Sequence, residues 1–250
     1  GIIALGTVLV ETGLLDASPP AETIGFDTPA GLVEATAHLD GARGERDVGA
    51  RVASVSFENV PSFVVDRGAR VDVPGYGLVE YDLAYGGAFY AYCDVDQFDC
   101  SLTCADADAL RRAGMAVKRA VAEAVDVEHP RSDDLEFLYG TILRGPPEDS
   151  ANDSRNVCVF ADGQIDRSPT GTGVSGRVAL AFDRGDLDAG DAFVVESIVG
   201  TTFTGTVVAE TTVGDHPAVV PRVEGSAHVT GRSEFVLDPA DPLVDGFRLE

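Results

Sequence analysis

The feature that most constrains this chain is the stretch 166–180, in which a strand turns through a loop of small residues into a helix. Residues 156–160 before it read as a strand, and apolar residues after it recur at helical spacing. Gly171 and Gly173 carry no Cβ atom, so a ligand can approach the backbone N–H groups closely. These N–H groups belong to the first helical turn and lack intrahelical partners, and the helix dipole adds positive potential. The sequence therefore predicts an anion site where this helix begins.

Asp166 stands just before this loop and narrows the choice of anion. A carboxylate there would repel a phosphate dianion, but it would accept hydrogen bonds from an ammonium group. A ligand that offers both a carboxylate and an ammonium group is an amino acid, so the pattern favours a small zwitterion.

Residues 166–173, Asp-Arg-Ser-Pro-Thr-Gly-Thr-Gly, resemble the second active-site motif of the proline racemase family. In that family the racemases and 4-hydroxyproline epimerases carry Cys at the position of Thr170, whereas trans-3-hydroxy-L-proline dehydratases carry Thr. The resemblance covers nearly the whole chain, through residues 57–63, 85–91, 196–203 and 225–231. Because this chain has Thr at residue 170, it is similar to the dehydratase subgroup.

The resemblance implies a mixed α/β (α+β) fold like that of diaminopimelate epimerase. Two pseudo-symmetric domains each wrap a curved sheet around a central helix, and the two helix N-termini face the cleft between them. Periodicity alone supports only a strand-rich α/β or α+β protein. We expect residues 1–75 to be the remainder of an incomplete first domain, 76–240 the second domain and 241–250 a closing segment.

The chain opens on an apolar segment, residues 1–14, which reads as a buried helix ended by Gly13. In the family such a helix follows the segment Met-Cys-Gly-His-Gly, and Gly1 matches its last glycine. The resemblance thus places the first catalytic Cys just before Gly1, and we expect the chain as written to lack that base and activity. The alternative is a complete small protein that begins on a core helix.

Roles for the remaining site residues follow from the same resemblance. Asp166 would hold the ring nitrogen of an imino acid, Gly171 and Thr172 its carboxylate, and Thr170 would close the second face of the ring. Gly1 and Gly173, at the two helix starts, complete the substrate-binding set. A threonine hydroxyl without an adjacent base is too weak for acid–base work. The Thr form therefore implies one-base removal of the α-proton with loss of the 3-hydroxyl, giving pyrroline-2-carboxylate.

Two other functions stay open. A proline racemase or 4-hydroxyproline epimerase-like isomerase would need another residue as its second base. A non-catalytic binder of proline-like amino acids would bind its ligand without turnover. Thr170 itself could be a plain helix cap.

The net charge of the chain limits the classes of partner that it can bind. There are 42 acidic against 18 basic residues, a formal net charge of -24, and Lys118 is the only lysine. Such a surface repels nucleic acid and anionic membranes, and it is similar to surfaces of proteins from salt-loving microbes. No run reaches the roughly 20 apolar residues of a membrane span. We expect a cytoplasmic protein with a small-molecule substrate, no nucleic-acid or membrane partner, and a homodimer as one option.

The cysteines do not follow a metal-binding pattern. Cys93, Cys100 and Cys104 crowd into one segment, but paired Cys-x-x-Cys spacing and His partners are missing from the sequence. Together with Cys158 they are expected to be free thiols. We expect no metal and no cofactor.

Alternating apolar residues and turn signals predict the other elements. A helix is expected from Asp106 or Asp108 to about Val125, a polar hairpin loop over 41–47 and a turn over 74–77. The predicted strands cover residues 51–60, 63–73 in two short pieces, 78–92 with an interruption at Gly86-Gly87, 193–198, 203–208, 219–223, 227–230 and 235–237.

Overall fold

The computed structural model describes residues 1–40 and 50–246. The predicted loop over 41–47 lies outside the described residues. The α-helices are α1 (Ile2–Glu11), α2 (Ala107–Ala124) and α3 (Gly171–Arg184). The strands are β1 (Ala21–Thr28), β2 (Gly31–Asp40), β3 (Arg51–Glu58), β4 (Ser62–Val73), β5 (Gly77–Tyr85), β6 (Phe89–Asp94), β7 (Leu138–Gly145), β8 (Ser154–Phe160), β9 (Gln164–Ile165), β10 (Ala192–Glu196), β11 (Thr202–Val213) and β12 (His216–Gly225). Short 3-10 turns cover Val95–Gln97, Cys104–Asp106 and Asp133–Leu135.

Strand β12 closes most of the sheet into a ring. One edge of β12 pairs with β11, while its other edge pairs with β4 in its first half and with β3 in its second half. From β12 the ring runs through β11, β10, β8, β7, β6, β5 and β4. The pairs β6–β7 and β8–β10 are parallel. Strands β3, β2 and β1 continue from β12 as an antiparallel extension.

Helix α3 runs inside this ring, and small residues let the strands approach it. Gly173 lies against Ile142 of β7, and Gly176 lies against the hydroxyl of Tyr92 in β6. On the opposite side, Val178 of the helix meets Gly205 of β11. Most of α3 is therefore buried, and its N-terminus is fixed relative to strands from all parts of the ring.

Helix α2 covers the outer face of β7 and β8. Gly114 packs against Val159, and the Thr141 hydroxyl donates to the Gly114 carbonyl at 3.0 Å. On β8, Val159 belongs to the core under α2, whereas the neighbouring Cys158 belongs to the small cluster on the α3 side. A sheet covered by helices on both faces requires nearly continuous apolar strands. The burial of β7 and β8 has this pattern.

Helix α1 packs on the β1–β3 extension in the same manner as α3 packs in the ring. Gly6 lies against Val55 of β3, and Gly13, at φ +71°, follows the end of the helix. Both α1 and α3 therefore lie against a curved sheet. The expected mixed α/β architecture, with a sheet around a central helix, is confirmed.

Several elements differ from the sequence prediction. Residues 227–230 and 235–237 are not strands, although the first segment alternates apolar and polar residues and the second is a short apolar run. Both edges of β12, the strand before them, are already paired, so these residues find no free edge there. Residues 63–73 form one strand whose register is irregular between Val64 and Ala69. Helix α2 and the division between β5 and β6 agree with the prediction.

The turn at residues 74–77 joins β4 to β5 as a hairpin. The boundary expected after residue 75 falls in this turn, and that division stays a prediction. Of the described helices, not one combines the length and apolar character that a membrane crossing requires.

The contact between Gly176 and Tyr92 generates a stability prediction. Alanine normally favours a helix over glycine by about 0.5–1 kcal/mol. At residue 176, however, a Cβ atom would overlap the Tyr92 hydroxyl, so Gly176→Ala should lower the free energy of unfolding by about 1–3 kcal/mol. Chemical denaturation of Gly176→Ala, Tyr92→Phe and the double variant tests this. Removing the hydroxyl should relieve part of the loss, and additive losses would contradict the packing argument.

Candidate active site

A cavity of about 460 Å³ lies where the N-termini of α1 and α3 meet. Its wall includes the start of α1, the turn between β1 and β2, and the loop that leads into α3. Residues named by the sequence analysis that line it are Gly1, Asp166, Thr170, Gly171 and Thr172. Gly173 is buried one residue further into α3 and is not among the lining residues. The fold therefore brings both helix starts to one space, as the family resemblance implied.

The loop before α3 fixes the carboxylate of Asp166. One oxygen accepts a hydrogen bond from the Ser168 N–H at 2.8 Å, and the other accepts from the Thr170 hydroxyl at 2.9 Å. The Ser168 hydroxyl in turn accepts from the Thr170 N–H at 3.1 Å. Each carboxylate oxygen keeps a further lone pair. Asp166 is thus an oriented acceptor on the cavity wall that can still bind an ammonium group.

Thr170 takes a backbone conformation that is rare for a β-branched residue, with φ +67° and ψ +105°. It is buried, and its carbonyl accepts the Val174 N–H at 2.8 Å as the first bond of the helix. Because the chain turns sharply here, the side chain of Thr170 lines the cavity while the following N–H groups stand at the helix start. These N–H groups and the helix dipole suit a carboxylate ligand.

The turn at Gly86 and Gly87 supports the first turn of α3 from behind. A Cβ atom on Gly86 would overlap the Thr172 carbonyl oxygen, so the contact requires glycine. Asn59 donates to the Gly86 carbonyl at 2.7 Å and to the Ser175 hydroxyl at 2.9 Å. The side chain of Asn59 therefore ties this turn to the helix.

Aromatic side chains form another wall of the cavity. Tyr139 stacks on Phe160 with ring centroids 5.6 Å apart, and the Tyr90 ring meets Tyr139 edge-on at 5.5 Å. The Tyr90 hydroxyl shares a 2.7 Å hydrogen bond with the Thr172 hydroxyl, and burial raises the pKa of Tyr90 well above its usual range. Such a wall can pack against an apolar ring, and the shared hydrogen bond fixes Thr172.

Cys158 on β8 is the one thiol among the lining residues. Burial raises its pKa to about 12, although an interaction with Thr170 counteracts part of that rise. The thiol is therefore protonated at neutral pH and is a poor base as it stands. Cys93 also has its pKa raised by burial to about 12, and it does not line the cavity.

Several lining residues were not named as site residues from the sequence. Asn59, Tyr90 and Phe57 lie in segments that carry the family resemblance, and the glycines at 86–87 signalled a close backbone approach nearby. Cys158 gave no signal, because a cysteine inside an apolar strand looks like ordinary core. Asp134, an exposed carboxylate on the cavity wall, was not singled out either.

The environments of the cysteines predict an order of alkylation. Cys104 is exposed, whereas Cys158 and Cys93 are buried and have raised pKa values. With limiting iodoacetamide at pH 8, Cys104 should be modified first and Cys158 should react only on unfolding. Peptide mass spectrometry measures the order, and unfolded protein serves as the control. Rapid labelling of Cys158 in the folded protein would contradict its assignment as a neutral, buried thiol.

Comparison with known sequences places the chain in a family. Residues 1–248 match the proline racemase family. A protein of Burkholderia multivorans named 3-hydroxyproline 2-epimerase is 46% identical over 247 residues, covering 99% of this chain and 71% of that protein. A protein of Azospirillum brasilense named trans-3-hydroxy-L-proline dehydratase is 45% identical, with the same coverage of both chains.

Solved structures agree with the sequence comparison. The crystal structure of a probable proline racemase from Agrobacterium radiobacter K84, with bound carbonate, matches at a TM-score of 0.89 and 35% identity. That match covers 99% of this chain and 70% of the other. A hydroxyproline epimerase from Agrobacterium vitis, with bound trans-4-hydroxy-L-proline, gives a TM-score of 0.87 at 33% identity, covering 98% and 68%. The chain described here belongs to the proline racemase family.

Proposed function

We propose that this chain carries the substrate-binding half of the active site of a trans-3-hydroxy-L-proline dehydratase. The observation that carries the proposal is the placement of Thr170 on the cavity wall, where its hydroxyl donates to Asp166. The name of the Azospirillum relative, at 45% identity, supports the same reaction.

The proposed substrate is held by its two charges. Its carboxylate lies between the starts of α1 and α3, where N–H groups without intrahelical partners and two helix dipoles favour an anion. Its ring nitrogen donates to Asp166, whose carboxylate is already oriented by Ser168 and Thr170. The aromatic wall contacts the carbon ring. This arrangement uses every polar group that the sequence analysis assigned to binding except the Gly173 N–H.

Thr170 is unsuited to be a base on its face of the ring. Its hydroxyl hydrogen is engaged with Asp166, and an unactivated hydroxyl does not accept a proton at neutral pH. The Cys158 thiol is neutral there, because burial raises its pKa to about 12. Chemistry from this side of the cavity is therefore limited to binding and orientation.

The reaction proposed for the opposite face needs one thiolate. The thiolate removes the α-proton, and the N–H donors at the helix starts stabilise the electron pair left on Cα through the substrate carboxylate. The same thiol then protonates the departing 3-hydroxyl, so that the C3–O bond breaks and water leaves. The enamine product tautomerises to pyrroline-2-carboxylate. The proposal assigns this thiol to a residue ahead of Gly1, as the family resemblance implies.

An isomerase is the second candidate, and one observation favours it. The Burkholderia relative, at 46% identity, is named a 3-hydroxyproline 2-epimerase. Epimerisation at Cα requires a proton donor on the face opposite the base. Cys158 lines the cavity next to Thr170 and, being protonated, could supply that proton.

Deuterated water separates the two candidates. We expect an N-terminally extended form of the protein, carrying the proposed thiol, to convert trans-3-hydroxy-L-proline to the cyclic imine. Trapping with o-aminobenzaldehyde and NMR would measure the imine and any α-deuterated hydroxyproline. Recovery of α-deuterated, inverted substrate with its hydroxyl intact would favour the epimerase. The 250-residue chain alone should give neither product, and turnover by it would overturn the assignment of the base.

Substitution of Thr170 tests the one-sided mechanism. Thr170→Ser keeps the hydroxyl donor to Asp166 and should retain dehydration. Thr170→Cys adds a thiol on the second face, so α-proton exchange with inversion should appear at the expense of dehydration. Both variants are assayed in the extended form by chiral chromatography and by the imine trap. Unchanged product ratios in Thr170→Cys would contradict the proposed role of this position.

A further inference from the structure

A second cavity, of about 400 Å³, shares no lining residue with the first. It lies beside the middle and C-terminal part of α3, and its wall contains the side chains of Arg144, Arg177 and Arg184. Ser154, Asp94 and Asp96 also line it. Three arginines in one cleft are unusual in a chain whose acidic residues outnumber its basic residues by 42 to 18.

Two of these arginines are neutralised by carboxylates. Arg144 pairs with Asp82 at 2.8 Å and with Asp94 at 2.7 Å. Arg184 also pairs with Asp82, which is almost fully buried. These two cations and two anions balance, so Arg144 and Arg184 do not require a further anion.

Arg177 has neutral partners instead. Its guanidinium donates to the side-chain oxygen of Asn156 at 2.5 Å and to the Ser154 hydroxyl at 3.0 Å. It also lies over the ring of Phe193, 5.2 Å from the centroid. Within residues 1–40 and 50–246, Arg177 forms no ion pair with a carboxylate. Asp96 lines the same cleft but does not pair with Arg177.

The surroundings of Arg177 contain more donors than acceptors. A guanidinium offers five N–H donors, and the two contacts above use only part of them. The side-chain NH₂ of Asn156 is buried and has no acceptor among the described residues. Burial lowers the pKa of Arg177 to about 10, and the nearby charges of Arg144 and Arg184 contribute to the lowering. Asn156 does not line the cleft, whereas Arg177 does and is still charged at neutral pH, so an anion in the cleft would offset the charge of Arg177.

We propose that this cleft binds a small oxoanion, of the phosphate, sulfate or carboxylate type, against Arg177. The planar fork of a guanidinium matches two oxygens of such an anion, whereas a spherical halide uses the fork less well. Ser154 holds the guanidinium in place, since its hydroxyl accepts from Arg177 while it donates to the Gly145 carbonyl at 3.1 Å. Of the two carboxylates that line the cleft, Asp94 is already paired with Arg144, and Asp96 disfavours large polyanions by repulsion.

Thermal unfolding at constant ionic strength tests the site. Adding inorganic phosphate in the millimolar range, with chloride as the balancing anion, should raise the Tm of the protein in a saturable manner. Arg177→Met should weaken the apparent phosphate affinity at least about tenfold, because charge-assisted hydrogen bonds are lost. Arg222→Met, which removes an exposed arginine paired with Glu58, is the matched control and should keep the response. Acetate in place of phosphate shows whether carboxylates share the site.

A response that survives in Arg177→Met would place the anion elsewhere, for example at the start of α3, and would overturn the proposal. So would the absence of a saturable response in the unchanged protein. Ser154→Asp provides a second test that does not remove the arginine. A carboxylate at residue 154 would pair with Arg177, so this variant should lose the phosphate response while its Tm without phosphate is maintained or raised. An unchanged phosphate response in Ser154→Asp would also contradict the assignment.

Discussion

The close approach of the Gly86–Gly87 turn to the first turn of α3 is the contact on which the site depends. No side chain fits between the Gly86 backbone and the Thr172 carbonyl. This contact, together with the hydrogen bonds of Asn59, fixes where the helix begins relative to β5 and β6. The ring of strands fixes the remainder of the helix. A helix held in this way presents its unpaired N–H groups to a ligand without having to move, which reduces the cost of binding.

Burial of α3 has a second consequence, at its other end. Where strands surround the helix, polar side chains must find partners inside the protein, whereas its last residues, Asp183 and Arg184, are exposed. Arg184 forms an ion pair with Asp82, and its positive charge also interacts favourably with the C-terminal end of the helix dipole. Arg177 finds only neutral acceptors and an aromatic ring. The same packing that fixes the proposed ligand site at one end of α3 therefore leaves an incompletely neutralised charge further along the helix.

The sequence predicted the parts of the molecule that depend on local chemistry. The loop into α3, the amphipathic helix α2 and the interruption at residues 86–87 are each specified by glycines or by periodicity over a few residues. The ring closure was not predictable in this way, since it depends on one strand, β12, pairing with strands far apart in sequence. Residues 227–230 have the alternating pattern of a strand but do not form one, because strand pairing also requires a free edge on a neighbouring strand. For the same reason Cys158 looked like core until the fold placed it beside Thr170.

The backbone at Thr170 explains how one framework can serve different chemistries. A left-handed φ costs a β-branched residue roughly 1–3 kcal/mol, and such conformations persist only when the surroundings determine them. Here the Ser168 hydroxyl accepts the Thr170 N–H, and the Val174 N–H donates to the Thr170 carbonyl. Both bonds use the backbone of residue 170. Neighbouring residues therefore set the backbone conformation of residue 170. A different side chain at this residue would change the group that lines the cavity without changing the direction of the chain. In the proposed mechanism, the choice between one base and two would therefore depend on the side chain at this single position, while the backbone N–H groups behind it keep their place.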